Sequence, residues 1–154
     1  MFTKWIKCSV SENNRSSFTK AQAQWFALRG IHGFVGQVGG WERRHPTEAI
    51  ILSFWKDAMH YQQFMDLIHD EIVLTNQQVG TYDHIVVKTF TCSSEVVDED
   101  LTELIRQSTR IEAKLNTINL LHRHGITQLV VDFQRMDIEM DSFIFDVETS
   151  WTVV

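Results

Sequence analysis

A chain of 154 residues, 44% hydrophobic and 22% charged, has the length and balance of one globular domain with enough apolar mass for its own core. Its net charge of −6 argues against nucleic-acid binding, which needs a basic surface, and no apolar run approaches the roughly 20 residues of a membrane span. The opening Met1-Phe2-Thr3-Lys4-Trp5-Ile6-Lys7 lacks the apolar core of a signal peptide, so a cytoplasmic location is expected, with Cys8 and Cys92 as free thiols.

Phe2 to Val10 reads as a first strand, in which Lys4, Trp5 and Lys7 interrupt strict alternation. Ser16 or Ser17 can cap a helix whose apolar positions Phe18, Ala21, Trp25 and Leu28 recur at helical spacing, with Gly30 as its stop. Gly33 to Arg44 reads as a second strand, and its Gly36, Gly39 and Gly40 suggest a bulge or a close backbone approach. These glycines are not a phosphate loop, because no Lys-Ser/Thr pair follows and no helix opens there. After a turn at Pro46, Ala49 to Trp55 is almost unbroken in apolarity, as expected of a strand buried on both faces. Asp57 starts a second helix, where a carboxylate offsets the helix dipole, and Ala58, Tyr61, Phe64, Met65 and Ile68 form its inner stripe. Tyr82 to Phe90 is a fourth strand, with Ile85 and Val87 on one face and His84, Val86 and Lys88 on the other. The order β-α-β-β-α-β within residues 1–92 predicts an α+β, ferredoxin-like domain with the first strand between the third and fourth. Cys8 and Cys92 then lie too far apart for a disulfide.

The charge balance shifts at Thr91-Cys92-Ser93-Ser94. Residues 1–92 hold nine Lys/Arg and eight Asp/Glu, whereas residues 93–154 hold five and twelve. A C-terminal unit, 93–154, is therefore expected. It reads as a long helix opened by Asp98, Glu99 and Asp100, striped by Leu104, Ile111, Leu115 and Ile118, and stopped at Gly125. Strands at Thr127 to Phe133 and Met140 to Val153 follow, in an order that allows a truncated, degenerate repeat of the first half.

Two helices on one side of a ferredoxin-like sheet leave the other side bare, including alternate residues of the apolar Ala49–Trp55 strand. An exposed patch of that size needs a cover. A second copy can pack sheet against sheet, or the tail can fold back over the sheet. A homodimer through the sheet face is the favoured expectation, with the tail extending the same core.

The residues Gly39-Gly40-Trp41, Ala49-Ile50-Ile51-Leu52-Ser53-Phe54-Trp55, Tyr61-x-x-Phe64-Met65, His69-Asp70 and Gln77 resemble those of a bacterial family of YdbC-like proteins of unknown function. That family is grouped with the dimeric α+β barrels, the superfamily of antibiotic-biosynthesis monooxygenases. The resemblance spans roughly residues 1–90, and the closing Ser150-Trp151-Thr152-Val153 also resembles the end of longer relatives. It implies a pocket between sheet and helices, in which some superfamily members carry out cofactor-independent oxygenation and some degrade haem. The haem-degrading members use an Asn on the first strand and a Trp and a His on the second helix. Here Phe2–Val10 contains no Asn, Phe64 stands near the place of the Trp, and His69 comes early, so haem chemistry is not expected.

Among candidate site residues, His60, His69 and His84 could act as general bases near neutral pH. Trp5, Trp41, Trp55 and Tyr82 could form a wall for a flat ligand, although core packing accounts for Trp55 equally simply. Asp66, His69 and Asp70 fall on one face of a continuous helix, where they could hold a cation or relay a proton. A solvated face explains the same spacing, and no further cluster has metal-ligand spacing. His122 and His124 read as a surface pair. The site expected from these residues comprises His69 and His60 as catalytic candidates and Trp5, Trp41, Tyr82 and His84 as ligand contacts, with no metal and no cofactor. Two functions fit: a small-ligand-binding protein that is oxygenase-like at most, its His removing a proton so that O2 can attack a carbanion, or a non-catalytic dimeric binding or scaffold protein.

Overall fold

The alternation of β1 (Phe2–Ser9) sorts its side chains between two environments. Thr3 and Trp5 turn to one side and are fully buried there, while Lys4, Ile6 and Cys8 turn to the other. A computed structural model of the chain describes residues 1–94, 97–114, 116–132 and 142–154. In it β1 lies between β3 (Glu48–Trp55) and β4 (His84–Ser93), antiparallel to both, and β2 (Phe34–Trp41) flanks β3. This is the ferredoxin-like half expected from the sequence. The glycines of β2 behave as predicted: the register shifts between Phe34 and Gly36, and Gly40 meets another strand at close range.

Over one face of this half lie α1 (Arg15–Ala23), continued by a 3-10 turn to Leu28, then α2 (Ala58–Leu67) and α3 (His69–Asn76). Gly30, at φ +84°, ends the first of these as its missing Cβ allows. Asp57 caps α2 by accepting from the His60 amide at 2.9 Å. The expected single second helix is broken at Ile68, whose φ of −132° is not helical. Asp66, on α2, and the pair His69 and Asp70, on α3, therefore do not share one helical face.

The C-terminal region departs from its sequence reading. The long helix stops after α4 (Asp98–Gln107), and β5 (Ser108–Lys114), β6 (Thr117–His122), β7 (Gly125–Asp132) and β8 (Phe143–Asp146) follow. The same apolar residues carry a period of two: Ile111 and Ala113, then Ile118 and Leu120, point to one side and are buried. Ser108, extended at ψ 133°, ends α4, and its hydroxyl donates to the Leu104 carbonyl at 2.7 Å. The final strand is shorter than expected and gives way to a 3-10 turn at Thr149–Trp151. Leu115, Phe133 and Met140, named in the sequence reading, lie outside the described residues. Among the described residues no helix is long and apolar enough to cross a membrane.

Among the described residues, eight strands form one sheet in the order β2-β3-β1-β4-β7-β6-β5-β8. Its ends meet. Gln37 and Val153 exchange backbone hydrogen bonds of 2.8 and 3.0 Å, the Arg43 amide donates to the Ile144 carbonyl and the Glu148 amide to that of Gly39, so the sheet closes into a barrel. Side chains from both halves fill its interior: Trp5, Ile50, Leu52, Phe54 and Phe90 from the first, Ile111, Ile118, Leu120, Leu129 and Phe145 from the second, with Leu101 and Ile105 of α4. The expected cover of this face by a second copy is thereby corrected to the alternative, the tail folding back over the sheet. The bare face exists as predicted, but the chain's own strands cover it, because four further strands can satisfy both its apolar surface and its backbone edges.

Candidate functional site

The two faces of the N-terminal half differ in how well they are filled. On the barrel side the packing is continuous. On the helix side it divides into two clusters: one around Trp55, Phe64, Leu28 and Ile72, the other around Phe18, Trp41, Ile51 and Trp151. Between the large aromatic groups the sheet carries smaller residues, including Ser53 and Cys8, and the helices cannot close down onto them. A cavity of about 300 Å³ results, bounded by β1–β4 below and by α1, α2, α3 and the Gln78–Tyr82 loop above. Ile85 and Val87 of β4 and Val79 of the loop line it yet are exposed, and so mark its mouth.

Its wall is aromatic. Trp55 and Phe64 lie 4.9 Å apart, and Tyr61 meets Trp55 edge-on at 5.7 Å. His69 packs against Phe64 edge-on at 5.7 Å and against Trp25 at 6.0 Å. The His69 Nδ1 lies 2.9 Å from Asp70 Oδ1. A carboxylate only accepts, so this contact places a proton on Nδ1 and leaves Nε2 able to accept one. Trp25 Nε1 donates to Gln78 Oε1, and Gln78 Nε2 to Gln22 Oε1, each at 2.7 Å, which ties the loop to the first helix.

The floor carries a polar row. Lys4 of β1 stands opposite Ser53 of β3, and Ser53 opposite Gln37 of β2. The Lys4 ammonium sits 5.7 Å from the Tyr61 ring centroid. Burial penalises its charged form and lowers its pKa from 10.5 to about 8, against a smaller opposing influence from Cys8. Burial likewise pushes the Cys8 thiol up to about 12, so it is no nucleophile near neutral pH. Cys92, on the barrel side, is pushed up to about 11 by burial. Both are free and buried, at opposite ends of β1, as expected.

Of the six site residues named from the sequence, the structure brings His69 and Tyr82 to this cavity. Trp5 faces the barrel interior, stacked on Phe143 at 6.3 Å, because its parity along β1 is opposite to that of Lys4. Trp41 is enclosed by Phe18, Trp151 and the Arg15 guanidinium, the last 3.9 Å from its ring centroid. The His60 ring is held by Asp57 at 2.8 Å and lies against His32. His84 is exposed at the start of β4. Asp66 accepts from Gln62 at 2.7 Å and does not converge with His69 and Asp70. Among the described residues no group of three or more His, Cys, Asp or Glu side chains is placed to hold a metal. The sequence reading missed Lys4, Ser53, Gln37, Gln22 and Trp25. The signal for Lys4 was its parity: it shares a strand face with Ile6 and Cys8, and that face is the one the helices cover.

Solved structures share this fold. A candidate monooxygenase from Fusobacterium nucleatum and another from Lactobacillus acidophilus superpose over 99% of this chain, covering 93% and 95% of their own lengths, with TM-scores of 0.54 and 0.53 and 8% identity each. A candidate antibiotic-biosynthesis monooxygenase from Deinococcus radiodurans superposes over 63% of this chain and 96% of its own length, with a TM-score of 0.52 and 11% identity. At such identities the likeness is one of fold. In sequence, the uncharacterised protein YdbC of Bacillus subtilis (strain 168) is 41% identical over 80 residues, which are 51% of this chain and 67% of YdbC. The profile of a domain of unknown function, DUF4937, matches residues 2–90, the half that carries the cavity, and the chain belongs to that family.

Proposed function

We propose that this chain binds a small, flat, largely apolar molecule between its N-terminal sheet and helices, and that any chemistry there is cofactor-independent oxygenation. The observation that carries this reading is the cavity itself. It is large enough for a two-ring compound, has an aromatic wall, and holds one histidine whose Nδ1 is engaged by a carboxylate. The monooxygenase names of the fold relatives agree with it.

In this reading His69 Nε2 removes a proton from an activated C–H or phenolic group of the bound molecule. The electron pair left behind reduces O2 and forms a C–O bond, and the resulting hydroperoxide loses water to leave a carbonyl. O2 is the oxidant and no other group is required. Residues 1–92 would be the binding unit and residues 93–154 the unit that completes the barrel. The two buried free thiols suit a reducing compartment and support a cytoplasmic location.

A thermal-shift screen of small aromatic compounds tests the reading. A compound that raises the melting temperature of the natural chain should lose that effect in Ser53→Phe, which fills the cavity floor. A stabilising compound indifferent to S53F would put the binding site elsewhere and end the proposal.

A further inference from the structure

The cavity floor specifies more than shape. Three strands contribute side chains at one level, Lys4, Ser53 and Gln37, and directly opposed side chains of antiparallel strands stand roughly 5 Å apart. The levels on either side are apolar: Phe2 and Trp55 flank one edge, Ile6, Ile51 and Gly39 the other. A strip of polar groups across an otherwise apolar floor is costly unless something uses it. What it offers is mostly donors. Lys4 brings three N–H groups and no acceptor. The Ser53 oxygen already accepts from Trp55 Nε1 at 3.3 Å, which leaves its O–H to donate. Gln37 donates its Nε2 to the Trp151 carbonyl at 3.3 Å and so adds an acceptor to the row, while from above Gln22, 3% exposed, accepts at Oε1 from Gln78. No Asp or Glu lines the cavity among the described residues, so the ammonium has no carboxylate to neutralise it there.

We propose that the ligand is an anion: a flat apolar molecule bearing one carboxylate or phenolate oxygen, which seats on Lys4 and Ser53 beneath Gln22 while its ring system lies along the Trp55–Phe64 wall. This rests on the reading of the cavity as a small-molecule site and narrows it to one class of ligand. A neutral aromatic molecule would leave the ammonium and the Ser53 hydroxyl unmatched, and a cation would be repelled. The lowered pKa of Lys4 fits the same picture, since an anion at this position would restore its full charge.

The test uses the full chain, with 2-naphthoate and its uncharged counterpart 2-naphthamide as probes, titrated calorimetrically at about pH 7 against the natural protein and Lys4→Met. The natural protein should favour the carboxylate by about tenfold or more, and K4M should lose that preference while holding the amide within about threefold. A second measurement needs no variant. The carboxylate preference of the natural protein should fall between about pH 7 and pH 9, as Lys4 loses its proton. The other titratable groups lining the cavity are Cys8, Tyr61, His69 and Tyr82, and an amide titrated in parallel reports any change they cause. Equal binding of the two probes, or a preference that survives both K4M and the rise in pH, would overturn the anion assignment and leave the cavity reading intact. If neither probe bound, the cavity reading itself would fall, and the assignment with it.

Discussion

The two halves of this barrel share its interior and differ on its outside. Residues 1–92 and residues 97–154 each supply four strands, and their inward side chains form one continuous core. Outside, the first half carries three helices held off the sheet by two aromatic clusters, and a cavity lies between them. The second half contributes α4, which packs into the core, while Ile126 and Val130 on the outer side of β7 remain exposed. Closing a sheet and building a site are separate tasks here. The C-terminal strands do the first by burying what the N-terminal strands would otherwise expose. Among the described residues, those lining the cavity all come from the N-terminal half, and the family match covers that half.

If closure is the second half's task, changes at the junction between the barrel's ends should unfold the whole molecule. The most severe should be Gly40→Ala. A Cβ at Gly40 would lie 2.1 Å from the Asp146 carbonyl oxygen and 2.8 Å from the Phe145 ring, so β2 and β8 could not keep their contact. We expect a loss of about 4 kcal/mol or more in urea unfolding, or no folded protein. Trp151→Ala should follow at about 3–5 kcal/mol. Trp151 is fully buried against Phe18 and Trp41, so the tail also anchors the first helix. If either variant unfolded within about 1 kcal/mol of the natural chain, the two halves would be far less interdependent than the shared core implies.

How much of this was legible in the sequence follows the same division. The β-α-β-β-α-β order could be read because each N-terminal element carries its own local signal: Asp57 at a helix start, Gly30 at a helix end, the unbroken apolar run of Ala49–Trp55. The bare sheet face could be inferred too, but its occupant could not, because that depends on strands pairing over long sequence separations. The tail was misread for a definite reason. Leu104, Ile111 and Ile118 recur every seven residues, which suits a helix, while Ile111/Ala113 and Ile118/Leu120 alternate, which suits strands. Local spacing did not decide between them, and the available pairing partners did. Of the candidates that chemistry singles out, His69 and Tyr82 line the cavity. Lys4 was passed over because one lysine in a strand is ordinary until the strand is known to be covered on both faces. Trp5 reads from the sequence as part of an aromatic wall, and one residue of register places it in the barrel interior.

Smaller effects separate the halves by pH. Glu42 is 3% exposed and belongs to the junction: it accepts from the backbone amides of Arg44, His45 and Ile144 and from the Arg44 guanidinium. Burial alone would raise its pKa, but these hydrogen bonds together hold it below 4.5. A depressed carboxyl pKa stabilises the fold above the unfolded value and loses that contribution as pH falls through the folded one. Glu42→Gln should therefore cost about 2 kcal/mol near neutral pH, and its deficit should shrink as both proteins are titrated below about pH 4. An unchanged deficit in acid would mean that lost packing, not lost charge, set the cost.

Within the cavity, His69→Ala should cost about 1 kcal/mol of stability, because the ring packs on Phe64 and Trp25, and under the proposed oxygenation should slow oxygen uptake with a bound phenolic compound by about a hundredfold or more. Uptake at the natural rate would remove His69 from any catalytic role.

Lys4 gives a stability signal with a distinctive sign. Its folded pKa of about 8 lies below the unfolded 10.5, so between those values the unfolded chain binds the extra proton. Stability must then rise with pH across that interval, by up to about 3 kcal/mol if Lys4 acted alone. The two buried thiols oppose it. Cys8 and Cys92 are raised from 9.0 to about 12 and about 11, so their contribution is complete below 9.0 and is lost as pH climbs above it. The natural chain should become more stable between about pH 7.5 and pH 9 and then less stable, whereas Lys4→Met should lack the rise and keep the fall. Because the methionine removes a half-buried ammonium, K4M should also be the more stable protein near pH 7 in the absence of ligand. A K4M stability curve parallel to that of the natural chain from about pH 7 to pH 9 would mean that Lys4 is solvated as well in the fold as out of it, and a solvated lysine would have no need of an anionic partner.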